Sequence, residues 1–365
     1  MSRTARTPAA APPAPAEGYT WPELRRLTHT ALTANVSVLL RGHPGVGKST
    51  LASALAGDLG LELIDIRLAQ RDPTDLAGVW MPDRDRQALV PYPPSWALDA
   101  ASRPCLVFLD EINAGVTKLH QAAAYQIVLE RRVGALRLHP ETRVLAAGNL
   151  EEDNAIVTPL SSALANRFAH FTLRVDAKSW VEWGSDAGVE PSVLAYIAGH
   201  GESALYTNDG QDIAFPSPRS WAMASALLAA GDTTDGRRLV AACVGVAAAE
   251  RFFAWRRIYG RVNVDRILKR GEIPDFTETE KAEPSFIYAA VMAVAAHARG
   301  AGPLSGTQLT NLVRFLQAPG LDPEYTMLLL RHTLPNATLH SQLRDTAAFR
   351  ARAATLVGIH AELYR

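Results

Sequence analysis

Eight consecutive residues, Gly42-His43-Pro44-Gly45-Val46-Gly47-Lys48-Ser49, set the tightest limit on how this chain can fold. They follow a short apolar run, Val36 to Leu40, and precede a segment that reads as a helix, Ser49 to Leu59. A glycine-rich loop in that setting lets backbone N–H groups wrap around phosphate oxygens. The helix N-terminus behind it adds a partial positive charge. At this chain's own residue frequencies the pattern arises by chance in roughly 0.3% of such sequences, so a phosphate-binding loop is the expected reading. The residues expected to bind nucleotide are Gly42, Pro44, Gly45, Val46, Gly47, Lys48, Ser49 and Thr50. Lys48 would reach the β- and γ-phosphates and the Ser49 hydroxyl would bind Mg²⁺, with ATP as the nucleotide.

A complementary motif follows at the distance such a loop requires. Leu106-Val107-Phe108-Leu109-Asp110-Glu111 is an apolar strand ending in two carboxylates. Asp110 can hold Mg²⁺ through its water shell, and Glu111 can polarise the attacking water. By itself an apolar run ending in Asp-Glu also describes a solvated strand end; the preceding loop is what gives it weight. Arg143 to Asn149 places an amide after a further strand, where a parallel sheet gathers its active groups. Asn149 there suits a contact to the attacking water or the γ-phosphate, and it equally suits a loop cap. Arg167 precedes a fifth strand and Arg219 opens a later helix. Taken alone, each arginine fits a surface position as readily as a phosphate ligand.

Around these motifs the pattern alternates. Strands are expected at Val36–Leu40, Leu61–Leu68, Leu106–Leu109, Arg143–Ala147 and Phe168–Val175, with helices between most of them. Short, nearly continuous apolar strands alternating with helices indicate an α/β fold with a parallel sheet covered on both faces. After Val175 the strand signal stops. Helices are expected at 179–188, 191–199, 220–230, 237–259, 283–299, 308–317, 323–334 and 346–363. The expected organisation is a disordered Ala/Pro-rich tail over 1–18, a nucleotide-binding α/β domain over 19–175, a helical lid over 176–270 and a helical extension over 271–365. No internal repeat is present.

Composition narrows the function classes. Lys plus Arg equals Asp plus Glu at 37 each, so the general electrostatic case for nucleic acid is missing. The longest apolar stretch, Leu239 to Ala249, falls well short of the ~20 residues needed to cross a bilayer. Cys105 and Cys243 form no metal motif, and nothing marks secretion, so a cytoplasmic, reducing location is expected. The ten histidines show no paired metal spacing.

In series, Lys48, Asp110-Glu111, Asn149, Arg167 and Arg219 resemble Walker A, Walker B, sensor 1, arginine finger and sensor 2 of an AAA+ ATPase. Three stretches further resemble the MoxR branch of that group, of the dynein-related type: Asp72-Pro73-Thr74-Asp75-Leu76-Ala77-Gly78, Asp110-Glu111-Ile112-Asn113 and Ser217-Pro218-Arg219-Ser220-Trp221. The resemblance implies Glu111, Asn149, Arg167 and Arg219 as catalytic residues, with Arg167 acting on a neighbour's nucleotide and Arg219 coupling the lid to nucleotide in its own subunit or the next. It also implies two inserted hairpins, at Val79–Pro91 with Pro82-Asp83 as its turn and at Val133–Val144 around His139-Pro140, that face a central pore. Such proteins generally form hexameric rings and remodel protein partners, often alongside a partner bearing a von Willebrand factor A domain. A nucleic-acid-coupled motor and a nucleotide-dependent switch are the alternative classes. Trp80, Tyr92 and Trp96 suit local packing or pore contact, and Arg131 and Arg132 suit an intersubunit site or the helix dipole. The extension past residue 271 suits a larger lid or a partner-docking surface.

Overall fold

A computed structural model describes residues 18–350, apart from 86, 115, 151–157, 209, 211, 231–234, 260–261, 279–283, 301–302, 334–335 and 347–348. The tail up to residue 17 and most of the helix expected over 346–363 lie outside the described residues. Two compact units meet at Val175 and Asp176.

The first unit begins with α1 (Trp21–Thr33) and β1 (Val38–Arg41), followed by α2 (Lys48–Leu59), β2 (Glu62–Arg67) and α3 (Pro73–Ala77). Next come β3 (Val79–Asp83), β4 (Ala88–Tyr92), α4 (Ser95–Ser102), β5 (Cys105–Asp110) and α5 (Lys118–Tyr125). The unit closes with β6 (Arg132–Val133), β7 (Leu136–Arg137), β8 (Arg143–Gly148), α6 (Ser162–Ala165) and β9 (Ala169–Thr172). Five strands form one parallel sheet in the order β2-β5-β8-β1-β9, flanked by helices. All six residues of β5 are buried and so are five of six in β8. Central strands covered on both faces need no apolar–polar alternation, which is why these segments read as unbroken apolar runs.

Local chemistry sets the element ends. Thr20 and Glu23 form a capping box at the start of α1, the Thr20 N–H donating to Glu23 Oε2 at 2.9 Å. The half-buried Arg25 of α1 binds Asp58 of α2 through two hydrogen bonds, holding the Asp58 carboxyl below its usual range. Burial of Leu51, Ala52, Leu55 and Ala56 along one side of α2 seats that helix on the sheet.

Two hairpins interrupt the alternation. β3 and β4 pair antiparallel from Val79↔Tyr92 to Asp83↔Ala88, within the stretch expected for the first insert, but Pro82 and Asp83 are paired in β3 and the turn follows them instead of falling on them. The second is shorter and differs from expectation: β6 and β7 pair Arg132↔Arg137 and Val133↔Leu136, so its turn falls on Gly134-Ala135 and not on His139-Pro140. Leu138 is buried and the His139 N–H already donates to Ala100 O at 2.8 Å, which anchors that stretch to α4 and removes it from the turn. The last turn of α5 widens into a π-helical segment, Gln126–Glu130, ending on Arg131 with φ 51°.

Among its described residues the second unit contains helices and no strand: α7 (Ala177–Asp186), α8 (Pro191–His200), α9 (Glu202–Leu205), α10 (Pro218–Ala230), α11 (Gly236–Val244) and α12 (Val246–Tyr259), then α13 (Pro284–Gly300), α14 (Gly306–Leu316), α15 (Pro323–Thr333) and α16 (Ala337–Asp345). One long helix was expected over 237–259, and two are found. At Gly245 the chain has φ 83°, and a Cβ there would lie 2.5 Å from Ala214 O. A close backbone approach at this glycine therefore breaks the run. Tyr196, Trp221, Phe252 and Trp255 form one aromatic cluster with centroid spacings of 5.4–5.6 Å about Tyr196. Ile267 and Leu268 share a core with Phe276, Phe315, Leu329 and Leu339, so helices on both sides of residue 270 bury side chains together. Among the described residues, no helix is long and apolar enough to cross a membrane.

Candidate active site

Parallel strands bring their carboxyl ends to one edge, and the register states which residues arrive there. Arg41 at the end of β1 lies level with Gly148 of β8 and Thr172 of β9, while Asp110 ends β5 beside Arg67 of β2. The loop from Gly42 to Gly47 leaves that edge directly. Gly45 and Gly47 adopt φ of 77° and 100°, a left-handed geometry that turns successive N–H groups into one concavity. Gly42 packs so closely that a Cβ would lie 2.9 Å from Leu173 O, which pins the loop against the end of β9.

The ends of two further strands, β5 and β8, then meet this loop through side chains. The Lys48 Nζ donates to Gly42 O at 2.6 Å, to His43 O at 2.9 Å and to Asn149 Oδ1 at 3.0 Å. The Ser49 hydroxyl donates to Asp110 Oδ2 at 2.9 Å, and Asp110 Oδ1 accepts the Glu111 N–H at 2.9 Å. Lys48 and Asp110 are both buried. Glu111 carries φ 57°, uncommon for a residue with a side chain; strain of this kind gathers at functional sites. Lys48, Ser49, Asp110, Glu111 and Asn149 are thus brought to one place from three separate stretches of sequence.

A buried carboxylate beside a hydroxyl is the hard oxygen donor set that suits Mg²⁺, and an inward-turned N–H loop with a lysine suits a polyphosphate. The residues present fit Mg-nucleotide.

Arg167 stands elsewhere in the first unit. It is exposed, directly after α6, and its main-chain N–H donates to Leu164 O at 3.1 Å. Since Ala169 pairs with Val38 and Thr172 with Arg41, Arg167 lies beyond the opposite end of β9 from the phosphate loop. The three strand steps alone amount to about 10 Å. Arg219 belongs to the second unit. It is exposed in the first turn of α10, which Ser217 and Ser220 cap reciprocally and Trp221 anchors by donating from Nε1 to Ala204 O at 2.9 Å.

Residues 38–173 match the family model described as the ATPase family associated with various cellular activities (AAA). They form an AAA ATPase domain. The domain match covers the phosphate loop, Asp110-Glu111, Asn149 and Arg167, and ATP hydrolysis is the activity of such a domain. An uncharacterised AAA domain-containing protein of Schizosaccharomyces pombe is 34% identical over 107 residues, which is 29% of this chain. The matched stretch is only 12% of that relative's length. Among solved structures, the Thermotoga maritima RuvB Holliday junction branch migration motor aligns over 82% of each chain at 17% identity, with a TM-score of 0.33. An arginine variant of the same protein aligns over 76% of this chain and 83% of its own at 17% identity, with a TM-score of 0.38. Scores this low carry no argument about the present chain.

Sequence reading did not assign a role to two amides of the AAA domain. Asn113 and Gln121 are buried and clamp the chain on either side of Thr158. Asn113 bonds both backbone groups of Asn149, and Gln121 donates to Pro159 O at 3.0 Å and accepts the Ser161 N–H at 3.3 Å. Asn113 carried a local signal as a polar residue following Asp-Glu-Ile. Gln121 carried none, because its partners lie 38 and 40 residues away. Of the other candidates, Trp96 is buried and donates to Asp75 O at 2.9 Å, whereas Trp80 and Tyr92 stand exposed on the β3–β4 hairpin. Arg131 reaches Ser37 Oγ at 3.0 Å at the start of β1, away from the phosphate loop. Burial, with the charge of Arg143, lowers its guanidinium to about 10.

Proposed function

We propose that this chain is a Mg-ATP-dependent AAA+ motor of the MoxR type, which assembles as a ring, with six subunits expected, and remodels or activates a protein partner. The observation that carries the hydrolytic part is the meeting of Lys48 with Asn149 and of Ser49 with Asp110 at one sheet edge. In this reading Lys48 exchanges its loop carbonyls for β- and γ-phosphate oxygens. Glu111 takes the proton of the attacking water, and Asn149 orients that water or the γ-phosphate. Ser49 and Asp110 would hold Mg²⁺, which neutralises charge on the phosphate oxygens.

The exposed Arg167 beyond the far end of β9 suits a finger that completes a neighbour's site, and Arg219 suits a lid contact to nucleotide. Residues 176–270 are read as that lid and 271–365 as its extension. The three motif stretches and the β3–β4 hairpin support the MoxR assignment. A partner bearing a von Willebrand factor A domain is the binding class that assignment favours.

The test combines turnover with capture. Glu111→Gln should bind Mg-ATP with near wild-type affinity while turnover falls by ~10²–10⁴. In ATP that variant should form rings by sizing chromatography and retain a protein partner. Unchanged turnover would remove Glu111 from the mechanism. A strong, salt-sensitive stimulation by DNA, with no protein retained, would replace partner remodelling with a nucleic-acid motor.

A further inference from the structure

We infer that Asn113 is a positioning residue that sets where Asn149 stands relative to Lys48 and the γ-phosphate. The inference rests on the reading of Asn149 as a contact to the reacting groups. An amide side chain presents one donor and one acceptor, so it can satisfy both backbone groups of a single residue. Asn113 does this to Asn149. Its Nδ2 donates to Asn149 O at 2.9 Å, and its Oδ1 accepts the Asn149 N–H at 3.0 Å. Two bonds to one residue fix the orientation of the peptide planes on both sides of it. The Asn149 side chain projects from that fixed backbone to accept from Lys48 Nζ at 3.0 Å.

The clamp reaches further through the main chain of Asn113. Its carbonyl accepts the Thr158 N–H at 2.7 Å, so the chain leaving β8 is tied to Asn113 at both Asn149 and Thr158. Directly before it, the Ile112 N–H donates to Ala147 O at 2.9 Å. Asn113 lies two residues after Glu111, so a shift in the Glu111 turn transmits to Asn149 through two hydrogen bonds and little intervening chain. Gly148 leaves room for this arrangement. A Cβ at that position would sit 2.7 Å from Asn113 Oδ1. Asn113 is also buried, so losing either partner strands a polar group away from water.

The pairing makes a chemical prediction specific to the amide. Asn113→Asp keeps the shape and the acceptor but removes the donor, placing a carboxylate against Asn149 O. Burial and the nearby Asp110 and Glu111 raise the pKa of such a carboxyl above the ordinary ~3.9, against the opposing pull of the Lys48 ammonium held on Asn149. When protonated it regains a donor. At pH 8 this variant should therefore lose ~10²-fold in kcat, the scale of a small misplacement of a reacting group, while Mg-ATP affinity stays within a few-fold. Its deficit relative to wild type at the same pH should shrink toward pH 5.5, whereas that of Asn113→Ala should not. Adding Asn113→Ala to Asn149→Ala should cost nothing beyond Asn149→Ala alone, because one acts through the other.

Hydrogen exchange supplies a readout independent of turnover. The Asn149 and Thr158 amides should exchange faster in Asn113→Ala with nucleotide affinity retained, and Gly148→Ala should reproduce both the exchange and the kcat loss. Wild-type kcat in Asn113→Asp, or full additivity with Asn149→Ala, would overturn the inference. If Asn149→Ala itself turns over normally, the role given to Asn149 fails. Faster exchange in Asn113→Ala would then show a clamp without catalytic consequence.

Discussion

Lys48 donates to oxygens from its own loop and from β8, so its position depends on two segments a hundred residues apart. Removing the side chain should therefore act on binding before chemistry. Lys48→Ala is expected to lose detectable binding of a fluorescent ATP analogue while its melting curve still shows a folded chain. Binding at wild-type affinity in that variant would displace the phosphate site from this loop. The neighbouring residues divide the labour by environment. Asp110 is buried and accepts two hydrogen bonds, which suits a fixed ligand, whereas Glu111 is less buried and held in a strained turn, which suits a group that handles a proton. Cys105 lies buried at the start of β5, the opposite end from Asp110, and burial pushes its thiol upward.

At the scale of elements, one feature exists only because backbone meets backbone. The corner between α11 and α12 needs φ 83° and has Ala214 O where a Cβ would go. Gly245→Ala should lower stability by about 1–3 kcal/mol in a denaturant or thermal melt, from the strained dihedral and the forced shift together. An unchanged midpoint would mean that α11 and α12 can join in another way. The β3–β4 hairpin shows the opposite character. Val79, Trp80, Met81, Leu89 and Tyr92 are all exposed, with Trp80 at 65%. Trp80→Ser should change stability by no more than ~0.5 kcal/mol, since the ring gains little from burial within the chain. A larger loss would place Trp80 against part of the protein that these contacts do not include.

For the whole molecule, the role proposed for Arg167 predicts that one subunit is not a complete enzyme. Arg167 is exposed beyond the far end of the edge strand from its own phosphate loop. On the trans reading, Arg167→Ala and Lys48→Ala chains are each inactive alone, and mixing them should restore part of the ATPase rate. Specific activity of wild type should also rise with protein concentration until the ring is complete. A concentration-independent rate with no recovery on mixing would make the subunit self-sufficient. An arginine finger typically contributes ~10³–10⁵ in rate, so the loss in Arg167→Ala alone should be large.

Much of the site was legible in the sequence because its parts are local. A glycine loop before a helix, two carboxylates after an apolar strand and an amide after another each declare themselves within eight residues, and a parallel sheet brings strand ends together by its nature. The buried strands β5 and β8 were readable for the same reason, as runs with no polar face. Tertiary structure alone decided what depends on distant partners. It chose Gly134-Ala135 for the second hairpin turn by anchoring His139 to Ala100 O, and it split the helix at Gly245 against Ala214 O. It also made Asn113 and Gln121 into clamps, since their bonds run to residues 36 to 40 positions away. Local sequence determines which groups can bind phosphate and activate water. The packed sheet and its cross-chain hydrogen bonds determine where those groups are held.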